Sequence, residues 1–304
     1  MIFGFFSAYA LSETETNKNV FQFRNGLFNK PTEILLPIPR EILSRTFPFV
    51  FLQHLAILEI AKQKFTSPLD LNKTGVLCGS ATGGISQLSL QQTRFSAKGI
   101  TKISPLTVPL TIHNSASSVL AIEHKIKGIS SGYNCMETSG VEALSDAIAL
   151  INSNETDSIF VGSGEDLTNE KNVMQQVGGV LLLTRFKPQD IKFYFEIECV
   201  LNRGKSWLSS EENLKDVLNE YFSANLKSNL KKEKWLLFNF QEKEINIAGK
   251  YPLEIVEFPQ FMPYLSLAPF LGMSQGMDLY QEFKLLTVSS EGHAVLLNFK
   301  KVNC

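Results

Sequence analysis

Cys135 and Met136 stand side by side in the segment Ile129-Ser-Ser-Gly-Tyr-Asn-Cys-Met-Glu-Thr-Ser-Gly140, which runs straight into an amphipathic stretch. The pattern is a short strand that feeds a sharp turn, and the turn opens a helix. Such a turn exposes a side chain, and the positive end of a helix favours negative charge on it. A thiolate placed there would accept an acyl group as a thioester. Met136 falls at the turn, and a thioether can neither ionise nor carry an acyl chain. Cys135 is one residue earlier, and one step along a strand turns a side chain to the opposite face.

The other residues able to do chemistry are sparse. The histidines are His54, His113, His124 and His293. His54 lies in an early helical run as a core or surface residue, and His113 precedes Asn114, away from the turn. His124 comes late in the next helix, and His293 falls in a closing turn. Ser139 follows the turn with no histidine evident near it, and no Gly-x-Ser-x-Gly elbow is present. The loop Gly79-Ser-Ala-Thr-Gly-Gly84 lacks the Lys-Ser/Thr ending of a phosphate loop. No His, Cys and carboxylate cluster has metal-ligand spacing.

Alternating elements must position these residues. From Pro48 the pattern turns helical, with Phe51, Leu55 and Leu58 forming one apolar stripe. Thr74–Cys78 is a strand ending in the glycine-rich loop. Pro105 and Pro109 break residues 99–113, and Asn114–Ile126 reads as a helix that begins with small residues. After the turn, Val141, Leu144, Ile148 and Ile151 mark a buried helix face. Ser158–Val161 is a strand ending in the loop Gly162-Ser-Gly-Glu-Asp166. Further strands fall at 178–183, 192–200, 234–240 and 294–299, and a second helical run lies within 264–286. Strands alternating with helices predict an α/β chain. It divides into halves at 1–190 and 191–304 that form one compact unit, the second shorter and poorer in glycine.

Composition narrows the function classes. The chain has 304 residues, 44% of them hydrophobic, enough for a large core. With 29 basic against 30 acidic residues it carries no nucleic-acid footprint. The lysines near Lys227–Lys234 read as a solvated face. Four scattered cysteines without a CxxC pair fit free thiols in a reducing compartment. Met1–Leu11 is apolar but lacks a basic flank and is too short to span a bilayer. The expectation is a cytoplasmic protein with no membrane span.

Several motifs, in order, resemble those of the β-ketoacyl-acyl-carrier-protein synthases of the thiolase fold. Arg45 and the helix through Gln53, Leu55 and Ala56 look like an early family helix. Gly79–Gly84 looks like its Gly-x-x-x-Gly-Gly segment, and Ile103–Asn114 like its Ser-Pro-x-x-x-Pro…Asn stretch. Thr138-Ser-Gly140 matches the Thr-Ser-Gly that follows the catalytic cysteine, and Gly162–Asp166 resembles its Gly-Gly-x-Glu loop. Beyond residue 191 the likeness thins to Leu271–Gly276 and Glu291–Ala294. The resemblance implies a layered αβαβα sandwich of two related halves, with the second shortened.

Residue by residue, the resemblance implies that the catalytic set has been lost. Met136 takes the place of the cysteine, Gln241 the first histidine, Pro269 the second histidine, and Tyr264 the lysine. Such a chain resembles the chain-length factors of type II polyketide synthases, in particular the small partners of aryl-polyene or flexirubin-type clusters. These inactive homologues pair with an active ketosynthase and line the far end of its tunnel. No cofactor is implied, since the substrate rides on the phosphopantetheine of an acyl carrier protein. Leu106, Thr107, Leu110 and Thr111 are the candidate tunnel gates, and simple packing at the interface is the competing reading of these four. Asn114 and Tyr133 join them at the dimer interface. Two alternatives stay open: an active acyltransferase or condensing enzyme using Cys135, and a homodimeric acyl-binding scaffold.

Overall fold

Runs such as Val76-Leu-Cys78, Ile159-Phe-Val161 and Val180-Leu-Leu-Leu183 are apolar on both faces of any strand they form. They fit only a sheet covered on both sides. In the computed structural model they occupy that place. The structure describes residues 2–13, 18–24, 27–29, 48–103, 105, 111–167, 176–186, 193–203, 219, 233–239, 253–256, 266–288 and 294–303.

The first sheet contains β1 (Phe3–Glu13), β2 (Lys18–Arg24), β3 (Leu27–Asn29), β4 (Thr74–Gly79), β5 (Ser130–Tyr133), β6 (Ser158–Asp166) and β7 (Gln176–Thr184). Their spatial order is β3-β2-β1-β7-β6-β4-β5. The second sheet contains β8 (Phe193–Arg203), β9 (Glu233–Asn239), β10 (Leu253–Val256), β11 (Glu282–Val288) and β12 (Ala294–Asn303). Its order is β10-β9-β11-β12-β8. In the first sheet β1 runs antiparallel to β7, β7 antiparallel to β6, and β6, β4 and β5 run parallel. In the second, β8 runs antiparallel to β12, β12 antiparallel to β11, and β11, β9 and β10 run parallel. One connectivity is thus used twice. The fold is α/β, thiolase-like, and built from two related halves.

Five helices are described: α1 (Pro48–Ala61), α2 (Ile85–Lys98), α3 (Ser115–Glu123), α4 (Ser139–Asn152) and α5 (Ala268–Leu279). Alternation along the strands sends neighbouring side chains to opposite faces. Leu77, Ile159, Val161, Leu181 and Leu183 meet α4 and the second half. Val76, Cys78, Phe160, Val180 and Leu182 meet α1 and α3 instead. Helix α4 therefore lies between the sheets, touching β4–β7 on one side and β8, β12 and α5 on the other. Burial on both sides explains why Ser139 through Ser145 are all buried.

Four local expectations are corrected. Helix α1 is not buried along one stripe: every residue from Phe49 to Ile57 is buried, because α1 is packed against β1, β6 and β7 and touches α3 as well. Gly162–Asp166 is not a loop but the second half of β6, buried throughout. Its glycines admit α1: a Cβ on Gly164 would stand 2.5 Å from the Phe49 ring. Helix α3 stops at Glu123, and β2, β3, β10 and β11 are additional strands. Among the described residues, no helix is long and apolar enough to cross a membrane.

Candidate active site

Strand β5 ends at Tyr133, α4 begins at Ser139, and the turn between them carries Met136 at φ 52°. That left-handed backbone is disfavoured for a residue with a long side chain, with a cost on the order of 1 kcal/mol or more. The turn is held by its neighbours. The Cys135 N–H donates to Ser139 Oγ (2.8 Å), and Thr138 Oγ1 donates to the Cys135 carbonyl (2.7 Å). The Ser139 hydroxyl has two carbonyl acceptors in reach, that of Met136 at 2.5 Å and that of Ser80 at 3.2 Å. Ser139 is therefore a staple and not a nucleophile. Gly79 sits where these segments meet, since a Cβ there would fall 2.3 Å from the Ser139 backbone. The turn is rigid whatever side chain residue 136 bears, and here it bears a half-buried thioether.

Cys135 is half-buried in an acidic setting. Burial first, then the charges of Glu142 and Asp146, push its thiol above the ordinary cysteine range. A reactive cysteine needs the opposite environment. Tyr133, two residues before it, donates its hydroxyl to Asp146 Oδ2 at 2.8 Å, and burial with that bond raises its pKa. Cys78 is fully enclosed, and burial pushes it up to about 12.

The polar centre is Glu165, whose side chain is fully buried. Its carboxylate accepts from the N–H of Ala81 (2.7 Å) and of Thr82 (2.9 Å), and from Thr82 Oγ1 (2.6 Å) and Ser80 Oγ (3.1 Å). From the second half, Ser266 donates through its N–H (3.3 Å) and its hydroxyl. Desolvation raises the pKa of Glu165, and this ring of donors opposes the rise. The glycine-rich loop after β4 thus aims its donors at the chain's own carboxyl group. The Gly-Gly-x-Glu resemblance takes in Glu165 but gives it no role, because its partners are remote in the sequence.

Two histidine expectations change. His113 is not remote from the turn, for its Nε2 lies 3.0 Å from Asn134 Nδ2, two residues before Met136. His54 and His124 form a pair, with Nδ1 of the first 3.0 Å from Nε2 of the second. Burial lowers the pKa of both, that of His124 to about 4.

Pro269 is buried in the first turn of α5, three residues after Ser266, and offers no titratable group. Gln241, Tyr264, Leu106, Thr107 and Leu110 lie outside the described residues, as does His293. Thr111 is half-buried, and Asn114 is exposed ahead of α3, its carbonyl accepting from Ser117 Oγ at 3.0 Å. Helix α2 faces solvent along nearly its whole length. Ile85, Leu88 and Phe95 form an exposed apolar stripe on it, and Gln91 is its only buried side chain among those described. Strand β5 is the edge of its sheet and leaves one side of its backbone unpaired by any described strand.

Residues 50–190 match the family model of the β-ketoacyl synthase N-terminal domain. A 3-oxoacyl-[acyl-carrier-protein] synthase 2 from Synechocystis sp. is 34% identical over 100 residues, which cover 32% of this chain and 23% of that protein. The chain thus spans about a quarter of the length of the curated relatives it matches. Among solved structures, a type II polyketide synthase acyl-carrier protein in complex with its ketosynthase bound to the hexaketide (AntDE:AntF) aligns with a TM-score of 0.67 at 14% identity. That alignment covers 86% of this chain and 84% of the other. The ketosynthase ApeO in complex with its chain length factor ApeC from Xenorhabdus doucetiae aligns with a TM-score of 0.51 at 13% identity, covering 98% of each chain. At such identities the likeness is one of fold. Residues 50–190 are thus similar to a β-ketoacyl synthase N-terminal domain, in a chain whose two-sheet fold is that of the solved ketosynthases.

Proposed function

We propose that this chain is a chain-length factor: a ketosynthase-like subunit without condensing chemistry that pairs with an active ketosynthase and shapes its acyl tunnel. The observation that carries the reading is Met136, a residue that cannot form a thioester, on the strained turn at the N-terminus of α4. The raised thiol of Cys135 and the buried Pro269 support it, since neither supplies the missing nucleophile or base. The exposed stripe of α2 and the open edge of β5 support a partner, because contiguous apolar surface and unpaired strand edges are usually covered. The substrate would be an acyl or polyenoyl chain on the phosphopantetheine of an acyl carrier protein, in a cytoplasmic type II polyketide or aryl-polyene pathway. The tunnel gate would be Leu106, Thr107, Leu110 and Thr111.

Co-expression with a ketosynthase from the same gene neighbourhood tests this. The expected result is a co-purifying heterodimer whose products, read by mass spectrometry, shorten when Thr107→Phe is introduced. Self-association with no ketosynthase bound would favour a homodimeric scaffold and sink the proposal. A second reading, an active condensing enzyme using Cys135, draws on the similarity to 3-oxoacyl-[acyl-carrier-protein] synthases and on a thiol beside the turn. Acyl loading of Cys135 in the isolated protein would establish it.

A further inference from the structure

A cavity of about 540 Å³ opens where the end of α1, the segment that follows it and the end of α3 meet. Leu71 and Ile126 of its wall precede β4 and β5, whereas the glycine-rich loop and the Met136 turn follow those strands. The two strands run parallel, so the cavity and the turn lie at opposite ends of the sheet. The volume falls in the small-molecule range of roughly 300–1,000 Å³. Apart from Gln63, Lys64 and His124, the lining is apolar. Ile57, Ile126 and Phe160 belong to the buried core, and the Phe65 ring is set edge-on against Phe5 at 5.3 Å. The apolar wall is therefore preformed.

Charge around the cavity is balanced. Lys64 already has an interaction within the protein. Asp70 stands between Leu69 and Leu71, Glu123 precedes His124, and Lys125 and Lys127 flank Ile126. All four are exposed, two acids against two bases, and neither sign prevails. Burial lowers the pKa of His124 to about 4, so its imidazole is uncharged at neutral pH. An ion entering this site would give up its hydration for an apolar wall with no net countercharge.

The polar anchor is His124. Its Nε2 lies 3.0 Å from His54 Nδ1, and a single proton occupies that bond. With the proton on His54, His124 carries its own hydrogen on Nδ1 and donates from there. With the proton on His124 Nε2, Nδ1 accepts. Among the described residues nothing but His54 bonds to the ring, so Nδ1 is its open position. A hydroxyl both donates and accepts through one atom, and so satisfies Nδ1 in either tautomer.

We propose that this cavity binds an uncharged apolar alcohol. The body packs on Ile57, Phe65 and Phe160, and the hydroxyl bonds to His124. The site is separate from the ketosynthase-like turn, and the inference does not rest on the chain-length-factor reading.

Calorimetric titration of the full chain with octan-1-ol at neutral pH tests it. Octanoate, octylammonium and the ether 1-methoxyheptane are the comparison ligands. The expected result is one saturable octanol site, with the anion and the cation both weaker by about tenfold or more. The ether, which only accepts, is expected to be weaker by about fivefold. Ala61→Phe, which fills the cavity from an exposed position, is expected to abolish octanol binding with no change in melting temperature. Absence of octanol binding overturns the proposal. So does an affinity for octanoate, octylammonium or the ether equal to that for octanol, a comparison made on the unaltered chain. Octanol binding that persists unchanged in Ala61→Phe overturns it as well.

Discussion

Glu165 and Ser266 lie 101 residues apart in the chain, yet the Ser266 backbone N–H donates to the Glu165 carboxylate at 3.3 Å. This contact joins the end of β6 to the start of α5, and so the first half to the second. The partners that surround Glu165 are donors, so an amide cannot replace it without turning an N–H₂ group toward them. Glu165→Gln is expected to destabilise the protein by about 1–3 kcal/mol in urea denaturation. The pH dependence has a definite sign. Because the folded pKa is raised, the folded state holds a proton that the unfolded state releases just above its value of 4.5. That contribution is full below 4.5 and is lost as pH rises through the folded value. The Gln variant should lack this slope.

The paired histidines act in the opposite direction. His124 has its pKa lowered to about 4, whereas an unfolded histidine titrates near 6.5. The stability it confers is therefore present above 6.5 and is lost as pH falls toward 4. Thermal unfolding followed between pH 7 and pH 4 should show a steep acid limb. His124→Gln should flatten it.

Cys135 is expected to react slowly with iodoacetamide at pH 7 and faster as pH rises. Removing its acidic neighbours lowers the thiol pKa and enlarges the thiolate fraction. Asp146→Asn combined with Glu142→Gln should raise the labelling rate by roughly two- to tenfold, leaving the desolvation contribution in place. Peptide mapping after labelling would separate Cys135 from Cys78, Cys199 and Cys304.

Met136 adopts φ 52°, a conformation that asparagine tolerates far better than methionine. Met136→Asn should stabilise the chain by about 0.5–1 kcal/mol, visible as a raised melting temperature. A loss of stability would mean that the thioether makes packing contacts worth more than the backbone strain.

Those parts of the molecule that depend on local pattern are legible in the sequence. The apolar runs Thr74–Cys78 and Gly178–Leu183 become β4 and β7, and the i, i+3, i+7 spacing from Val141 becomes the buried face of α4. The turn at Met136 is legible because a strand, small polar residues and a helix follow one another directly. Helix α1 defeats periodicity, since a helix buried all round has no polar face to contrast with its stripe. His113 and Asn134 meet only through the packing of α3 against β5, and nothing local signals that approach. Glu165 belongs to the same class: its partners come from residues 80–82 and from Ser266, so its role exists only in the assembled core.

The doubled connectivity governs how the chain can be built. Strand β1 pairs along its length with β7, so it must wait for residues 176–184 before its inner edge is satisfied. Strand β8 likewise waits for β12. Half of the described pairings join strands far apart in the sequence, a topology that slows folding. During that wait the apolar faces of β4 and β6 stand open, and exposed surface of that kind is prone to aggregation until the partner strands arrive.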